Sequence, residues 1–134
     1  MSDNNTFTKA ERLCSQAAID WLFDGKGNSF SVFPLRIIFK VIPSEATTLP
    51  KLLISVPKKK FHHAVNRNRV KRLLREAYRK QKHALIAFTT AHDLSITLAF
   101  VYISDELVSY TELEKCVSTA QSRIIKTLEH ELAD

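Results

Sequence analysis

Hydrophobic side chains recur at helical spacing in three parts of the chain. Residues 10–23 predict a first helix, in which Thr8 is the N-cap and Glu11 completes a capping box. Residues 64–83 predict a long second helix. Residues 111–132 predict a third, whose apolar stripe consists of Leu113, Val117, Ala120, Ile124 and Leu128.

Between these helices the pattern predicts three strands, over residues 35–42, 51–56 and 94–103, which are rich in β-branched or aromatic residues. Residues 24–28 contain both glycines of the chain and are interpreted as a helix stop followed by a turn. The order α-β-β-α-β-α predicts a single α+β domain over residues 1–134, in which helices cover one sheet layer. The polar residues 1–8 are expected to be disordered.

Positive charge is concentrated in one quarter of the chain. The whole sequence carries 20 Lys and Arg against 14 Asp and Glu, a net charge of +6. Residues 51–83 contain twelve of the basic residues, and their only acid is Glu76, so the rest of the chain is net negative. A polarised molecule of this kind is expected to present one face to a polyanion.

The predicted second helix carries this charge on one side. A helical wheel places Val70, Leu73, Leu74, Ala77 and Tyr78 in an apolar stripe, expected to face the core. The opposite side consists of Asn68, Lys71, Arg72, Arg75, Arg79 and Lys82, with Arg67 and Arg69 on the flanks. Lys58, Lys59 and Lys60 precede the helix. Arginine forks bind phosphates in a bidentate manner, so the pattern favours a phosphate-binding surface over a solvated basic face.

Other classes of site find little support in the residues. Motifs of nucleophilic, metal-dependent or P-loop enzymes are absent. Cys14 and Cys116 lie far apart without metal-ligand spacing, and both are interpreted as small apolar residues on helices. The apolar runs are too short to span a bilayer and the N-terminus does not resemble a signal peptide, so a cytoplasmic protein without a membrane partner is expected.

One composite motif resembles a known family. The run from Leu53 to Lys60, with the sequence LISVPKKK, is followed by AVNRNRVKRLLREAYR over residues 64–79. A strand that ends in Ser-x-Lys-Lys and leads into an Arg-Asn-Arg helix resembles the signature of the bacterial ribonuclease P protein family. Length, basicity and the flanking elements are similar as well. Pro57 departs from the family pattern, and so does Ile19 in the first helix, where an aromatic residue is frequent.

The resemblance implies an RNA-binding accessory subunit of the endoribonuclease that removes the 5′ leader of precursor tRNA. It implies a catalytic centre and Mg²⁺ ions in the RNA subunit, and no catalytic residue, metal or cofactor in the protein. The implied fold is a two-layer, ribosomal-protein-like α/β sandwich with a left-handed crossover through the basic helix. The residues implied to bind the catalytic RNA and seat the substrate are Lys58, Lys59, Lys60, Arg67, Asn68, Arg69, Lys71, Arg72, Arg75 and Arg79.

The family also holds the 5′ leader in a cleft between the first helix and the sheet. By position and type, Phe23, Ile37 and Phe39 are candidates for its floor, and a place in the ordinary core is an equally good interpretation of all three. A ribosome-associated or general RNA-binding protein is the alternative function. A DNA-reading helix is a third, disfavoured because most of the face that carries Asn68 consists of phosphate-binding side chains.

Overall fold

The computed structural model describes residues 11–13, 15–44 and 49–133, which form one four-stranded sheet and four helices. In chain order the elements are α1 (Gln16–Leu22), β1 (Asn28–Val32), β2 (Leu35–Pro43), β3 (Lys51–Ser55), α2 (Ala64–Gln81), α3 (His83–Ala91), β4 (Leu94–Tyr102) and α4 (Tyr110–Ala133). The α+β class predicted from the sequence is confirmed.

The last strand in sequence lies inside the sheet, whose order is β1-β2-β4-β3. β2 is antiparallel to both β1 and β4, whereas β3 runs parallel to β4. A parallel pair needs a crossover, and here α2 and α3 provide it. The sequence motif therefore places the basic helix in the connection between two neighbouring strands. The left hand of that crossover stays a prediction.

The two faces of the sheet are covered unequally. On one face, Leu35, Ile37 and Phe39 of β2 pack with α2, α3 and α4 in the main core. On the other, Leu22 of α1 packs against Ala99 in a smaller cluster. The two predicted layers are present, and α1 adds partial cover on the second face.

The first helix is shorter than predicted. It begins at Gln16, and the Ser15 hydroxyl caps it by accepting a hydrogen bond from the Ala18 N–H at 3.3 Å. The prediction that Glu11 belongs to a capping box is wrong, because its carboxylate is buried against Lys82. Thr8, Cys14 and the expected disorder of residues 1–8 lie outside the described residues.

The pattern missed two elements, and the observed order is α-β-β-β-α-α-β-α. β1 has the sequence NSFSV, whose small polar residues give a weak strand signal. α3 has the sequence HALIAFTTA, an almost continuous apolar run without the 3.6-residue alternation that marks a helix. The predicted long helix therefore ends at Gln81, and a separate helix follows.

Candidate nucleic-acid interface

Helix α2 is oriented by the apolar stripe predicted from the sequence. Val70, Leu74, Ala77 and Tyr78 are buried, and Leu73 packs against the same core from a half-buried position. The Tyr78 and Phe100 rings meet edge to face at 6.1 Å between centroids. The apolar contacts fix the rotation of α2, so its basic side is turned to the surface.

The exposed members of the predicted RNA-binding set lie around the start of α2. Lys58 and Lys59 are exposed in the loop before the helix, and Asn68, Arg69 and Arg72 are exposed on its first three turns. Lys71 and Arg75 are half-buried. The N-terminal end of a helix carries a positive partial charge, which adds to these side chains in attracting phosphate.

Arg67 has a structural contact within this site. Its Nη1 donates hydrogen bonds to the carbonyl oxygens of Phe61, at 2.7 Å, and His62, at 3.0 Å. These carbonyls belong to the loop that carries the three lysines. Arg67 therefore ties the lysine loop to α2, a role that residue type and spacing do not reveal.

Two other predicted contacts are partly neutralised by acids. Arg79 pairs with Glu76 one turn earlier, with Nε donating to Oε1 at 3.1 Å. The hydrogen bond from Arg79 lowers the pKa of the Glu76 carboxyl, which keeps the acid ionised. Lys60 lies 3.4 Å from an Asp105 carboxylate oxygen. Both ion pairs reduce the positive charge around them. The net positive charge of the predicted RNA-binding residues is therefore concentrated nearer Lys58 and Lys59.

Lys82 is absent from the basic surface, although the helical wheel placed it there. Its Nζ donates to both carboxylate oxygens of Glu11, at 2.9 and 2.8 Å. The Lys82 side chain is 5% exposed and that of Glu11 is wholly buried. α2 ends at Gln81, so Lys82 is turned inward at the junction with α3. The prediction for Lys82 is wrong.

A groove of about 260 Å³ lies between α1 and the second face of the sheet. Phe23, which is 41% exposed, lies on its wall. The other lining residues are Leu22, Gly25, Gly27, Ser29, Arg36, Ile38 and Val101. The groove has an apolar floor, an aromatic edge and one arginine.

Ile37 and Phe39 do not line this groove. Both are fully buried on the opposite face of the sheet, among the residues that meet α2 and α4. Successive side chains of a strand point to opposite faces, so the groove receives Arg36 and Ile38 instead. The assignment of Ile37 and Phe39 to the cleft floor is therefore wrong, and their interpretation as core is confirmed.

Polar contacts hold both walls of the groove. Arg36 Nε donates to the Ser29 hydroxyl at 3.1 Å across the β1–β2 pair. Lys40 Nζ donates to the Trp21 carbonyl at 2.7 Å and to Asp24 at 2.8 Å, and lies 4.4 Å from the centre of the Trp21 ring. The hydrogen bond from Lys40 lowers the pKa of the Asp24 carboxyl. The end of α1 is thereby fastened to β2.

The described residues offer no cluster of metal ligands and no reactive thiol. Within the described residues, His, Cys, Asp and Glu form no group of three that holds a metal ion. Cys116 is buried, its Sγ donates to the Val32 carbonyl at 3.0 Å, and burial raises the pKa of its thiol to about 11. The interpretation of Cys116 as a small apolar helix residue is confirmed. No helix within the described ranges 11–13, 15–44 and 49–133 is long and apolar enough to cross a membrane.

Comparisons with known proteins agree with this fold. The Ribonuclease P family pattern matches residues 7–124. The ribonuclease P protein component of Porphyromonas gingivalis is 39% identical over 117 residues, which cover 87% of this chain and 85% of that protein. The ribonuclease P protein of Thermotoga maritima has a TM-score of 0.64 at 19% identity, covering 84% of this chain and 96% of that one. The Staphylococcus aureus protein has a TM-score of 0.60 at 21% identity, with 83% and 92% covered.

The architecture defines a small basic α+β domain with the fold of solved ribonuclease P proteins. The family match and the identity to the Porphyromonas protein go further than the fold. The chain belongs to the ribonuclease P family, whose protein component is an accessory subunit of an endoribonuclease of tRNA processing.

Proposed function

We propose that this chain binds the catalytic RNA of a bacterial ribonuclease P and assists it in removing the 5′ leader of precursor tRNA. The observation that carries the proposal is the exposed basic surface on α2 and the lysine loop, in a chain of this family. Family membership favours this function over a general RNA-binding or ribosome-associated role. Mg²⁺ and the cleavage chemistry belong to the RNA subunit, and the protein works in the cytoplasm.

The two surfaces divide the work. The basic surface contacts the catalytic RNA through phosphates, because it offers many charged donors and few groups that read bases. The groove beside α1 takes the single-stranded leader. Phe23 offers a ring for a base to stack on, and Arg36 offers a fork for the adjacent phosphate.

Reconstitution tests the proposed function. Adding the protein to a bacterial ribonuclease P RNA at low Mg²⁺ is expected to restore cleavage of precursor tRNA, whereas the protein alone is expected to leave the substrate intact. A double variant, Arg69→Ala with Arg72→Ala, is the matched control and should restore less cleavage at equal concentration. Failure of the wild-type protein to stimulate the RNA contradicts the proposal, as does cleavage by pure protein that depends on its own residues.

Binding to the catalytic RNA should be strongly salt-dependent. If about six phosphate contacts form, log affinity is expected to fall with log salt with a slope of roughly −4 to −5. Arg69→Ala and Arg72→Ala should each flatten the slope by about 0.7 to 0.9. Both side chains are exposed, so thermal unfolding should barely change. A nearly salt-independent affinity of the folded wild type would contradict phosphate-dominated binding.

Phe23→Ala is expected to weaken the binding of precursor tRNA and to leave the binding of mature tRNA unchanged. Loss of one stacking partner removes about 1 to 3 kcal/mol of binding free energy per base, and mature tRNA has no leader to stack. The measurement is the affinity of the assembled ribonucleoprotein for both tRNA forms. If the binding of both tRNA forms weakens equally, or if neither weakens, the leader does not lie in this groove.

A further inference from the structure

A further basic side chain is brought to α2 by the segment that precedes α1. Residues 11–13 run beside β3, one of the two outer strands of the sheet. Arg12 forms a parallel bridge with Leu52, and the Leu13 N–H donates to the Leu52 carbonyl at 3.1 Å. These main-chain contacts fix Arg12 at the sheet edge, while its side chain is exposed.

The buried ion pair fixes the same segment from its other side. Glu11 accepts two short hydrogen bonds from Lys82, at the junction of α2 and α3. Arg12 is therefore held between an anchor to the sheet at Leu13 and an anchor to the helices at Glu11. A side chain carried on a segment fixed at both ends loses less entropy on binding than one on a loose tail.

Arg12 shares a groove with two basic residues of α2. The groove measures about 210 Å³ and lies at the edge of β3. Its lining consists of Arg12, Leu13, Leu52, Leu53, Ile54, Lys71 and Arg75. Its charged groups are three cations from two distant parts of the chain. Such a group of like charges is stabilised when an anion enters, and guanidinium groups match the geometry of a phosphate.

We propose that Arg12, Lys71 and Arg75 form a binding site for one backbone phosphate of RNA. The half-buried Leu53 and Ile54 also line the groove, so the attached ribose or base can cover hydrocarbon there. This inference rests on the proposed function, since it takes RNA as the ligand. It extends the phosphate-binding surface from α2 around the edge of the sheet, to a residue outside the basic motif. The phosphate comes either from the catalytic RNA or from the precursor tRNA.

Arg12→Ala tests the site. Affinity is measured at several salt concentrations, for the catalytic RNA with the protein and for precursor and mature tRNA with the assembled ribonucleoprotein. Loss of a charge-assisted contact is expected to weaken one of these interactions about tenfold. The salt slope of that interaction should flatten by about 0.7 to 0.9. Lys126→Ala removes one exposed positive charge from α4, and as the matched control should change neither quantity.

The RNA that shows the defect identifies the source of the phosphate. A defect with the catalytic RNA assigns it to that subunit, and a defect confined to leader-bearing precursor assigns it to the leader. Arg12→Lys should restore the salt slope but only part of the affinity, because it keeps the charge and loses the planar fork. All three variants should unfold at the wild-type temperature.

The inference can fail without the proposed function. If Arg12→Ala leaves affinity and salt slope unchanged for every RNA while Arg72→Ala weakens binding, the site at the β3 edge is overturned and the basic surface of α2 stands. If the wild-type protein binds neither RNA, the proposed function fails together with this inference.

Discussion

Replacing Phe39 by alanine is expected to lower the free energy of unfolding by about 3 to 5 kcal/mol. The melting temperature should fall by on the order of 10 °C. Phe39 is fully buried, lies opposite Leu98 in the β2–β4 pair, and meets the Phe30 ring edge to face at 6.3 Å. Alanine leaves a cavity at this position. β2 cannot shift to close it, because β2 is hydrogen-bonded to β1 on one side and to β4 on the other.

Phe23→Ala is the matched control, because it removes the same type of side chain from the end of α1, beside the other face of the sheet. Phe23 is 41% exposed, so its loss should affect unfolding far less than the loss of Phe39. The two variants are compared by thermal and urea unfolding and by their affinity for both tRNA forms. A stable Phe39→Ala protein with a defect confined to the leader would contradict the core assignment.

Lys82→Met is expected to cost about 3 to 5 kcal/mol of stability. The substitution leaves the Glu11 carboxylate in the protein interior without the ammonium group that binds both of its oxygens. Tyr78 lies in the same environment. Its pKa is raised mainly by burial and to a smaller extent by the negative charge of Glu11. The measurement is urea unfolding at neutral pH.

A double variant separates lost pairing from lost packing. Glu11→Met combined with Lys82→Met removes both charges and keeps apolar volume, so it should recover most of the stability lost in Lys82→Met. Asp105→Asn, which removes an acid from the exposed pair with Lys60, should remain close to wild type. If Lys82→Met also unfolds like wild type, the buried pair does not hold the segment before α1 in place.

The spacing of hydrophobic and polar residues predicts the orientation of an element correctly where one apolar face of that element decides it. The apolar stripe of α2 and the exposure of Asn68, Arg69 and Arg72 follow from helical spacing alone. This spacing was insufficient for β2. The alternation of that strand separates residues 35, 37 and 39 from residues 36 and 38, but which set meets α2 depends on the pairing of distant strands.

Long-range polar contacts explain the other differences. Glu11 fits a capping box, and only the position of Lys82, 71 residues later, shows that it is used elsewhere. The same contact turns Lys82 inward and brings Arg12 beside Lys71 and Arg75. Neither charge pattern nor periodicity contains such a pairing, since both describe neighbours along one element.

The place of β4 in the sheet also sets an order of events during synthesis. β2 and β3 are made early, yet neither pairs with the other, because β4 lies between them. Until residues 94–102 leave the ribosome, β2 and β3 each keep an open edge, because β4 is the strand that pairs with both. The nascent chain therefore carries the arginines of α2 before it has a finished sheet, and its open strand edges favour aggregation at that stage.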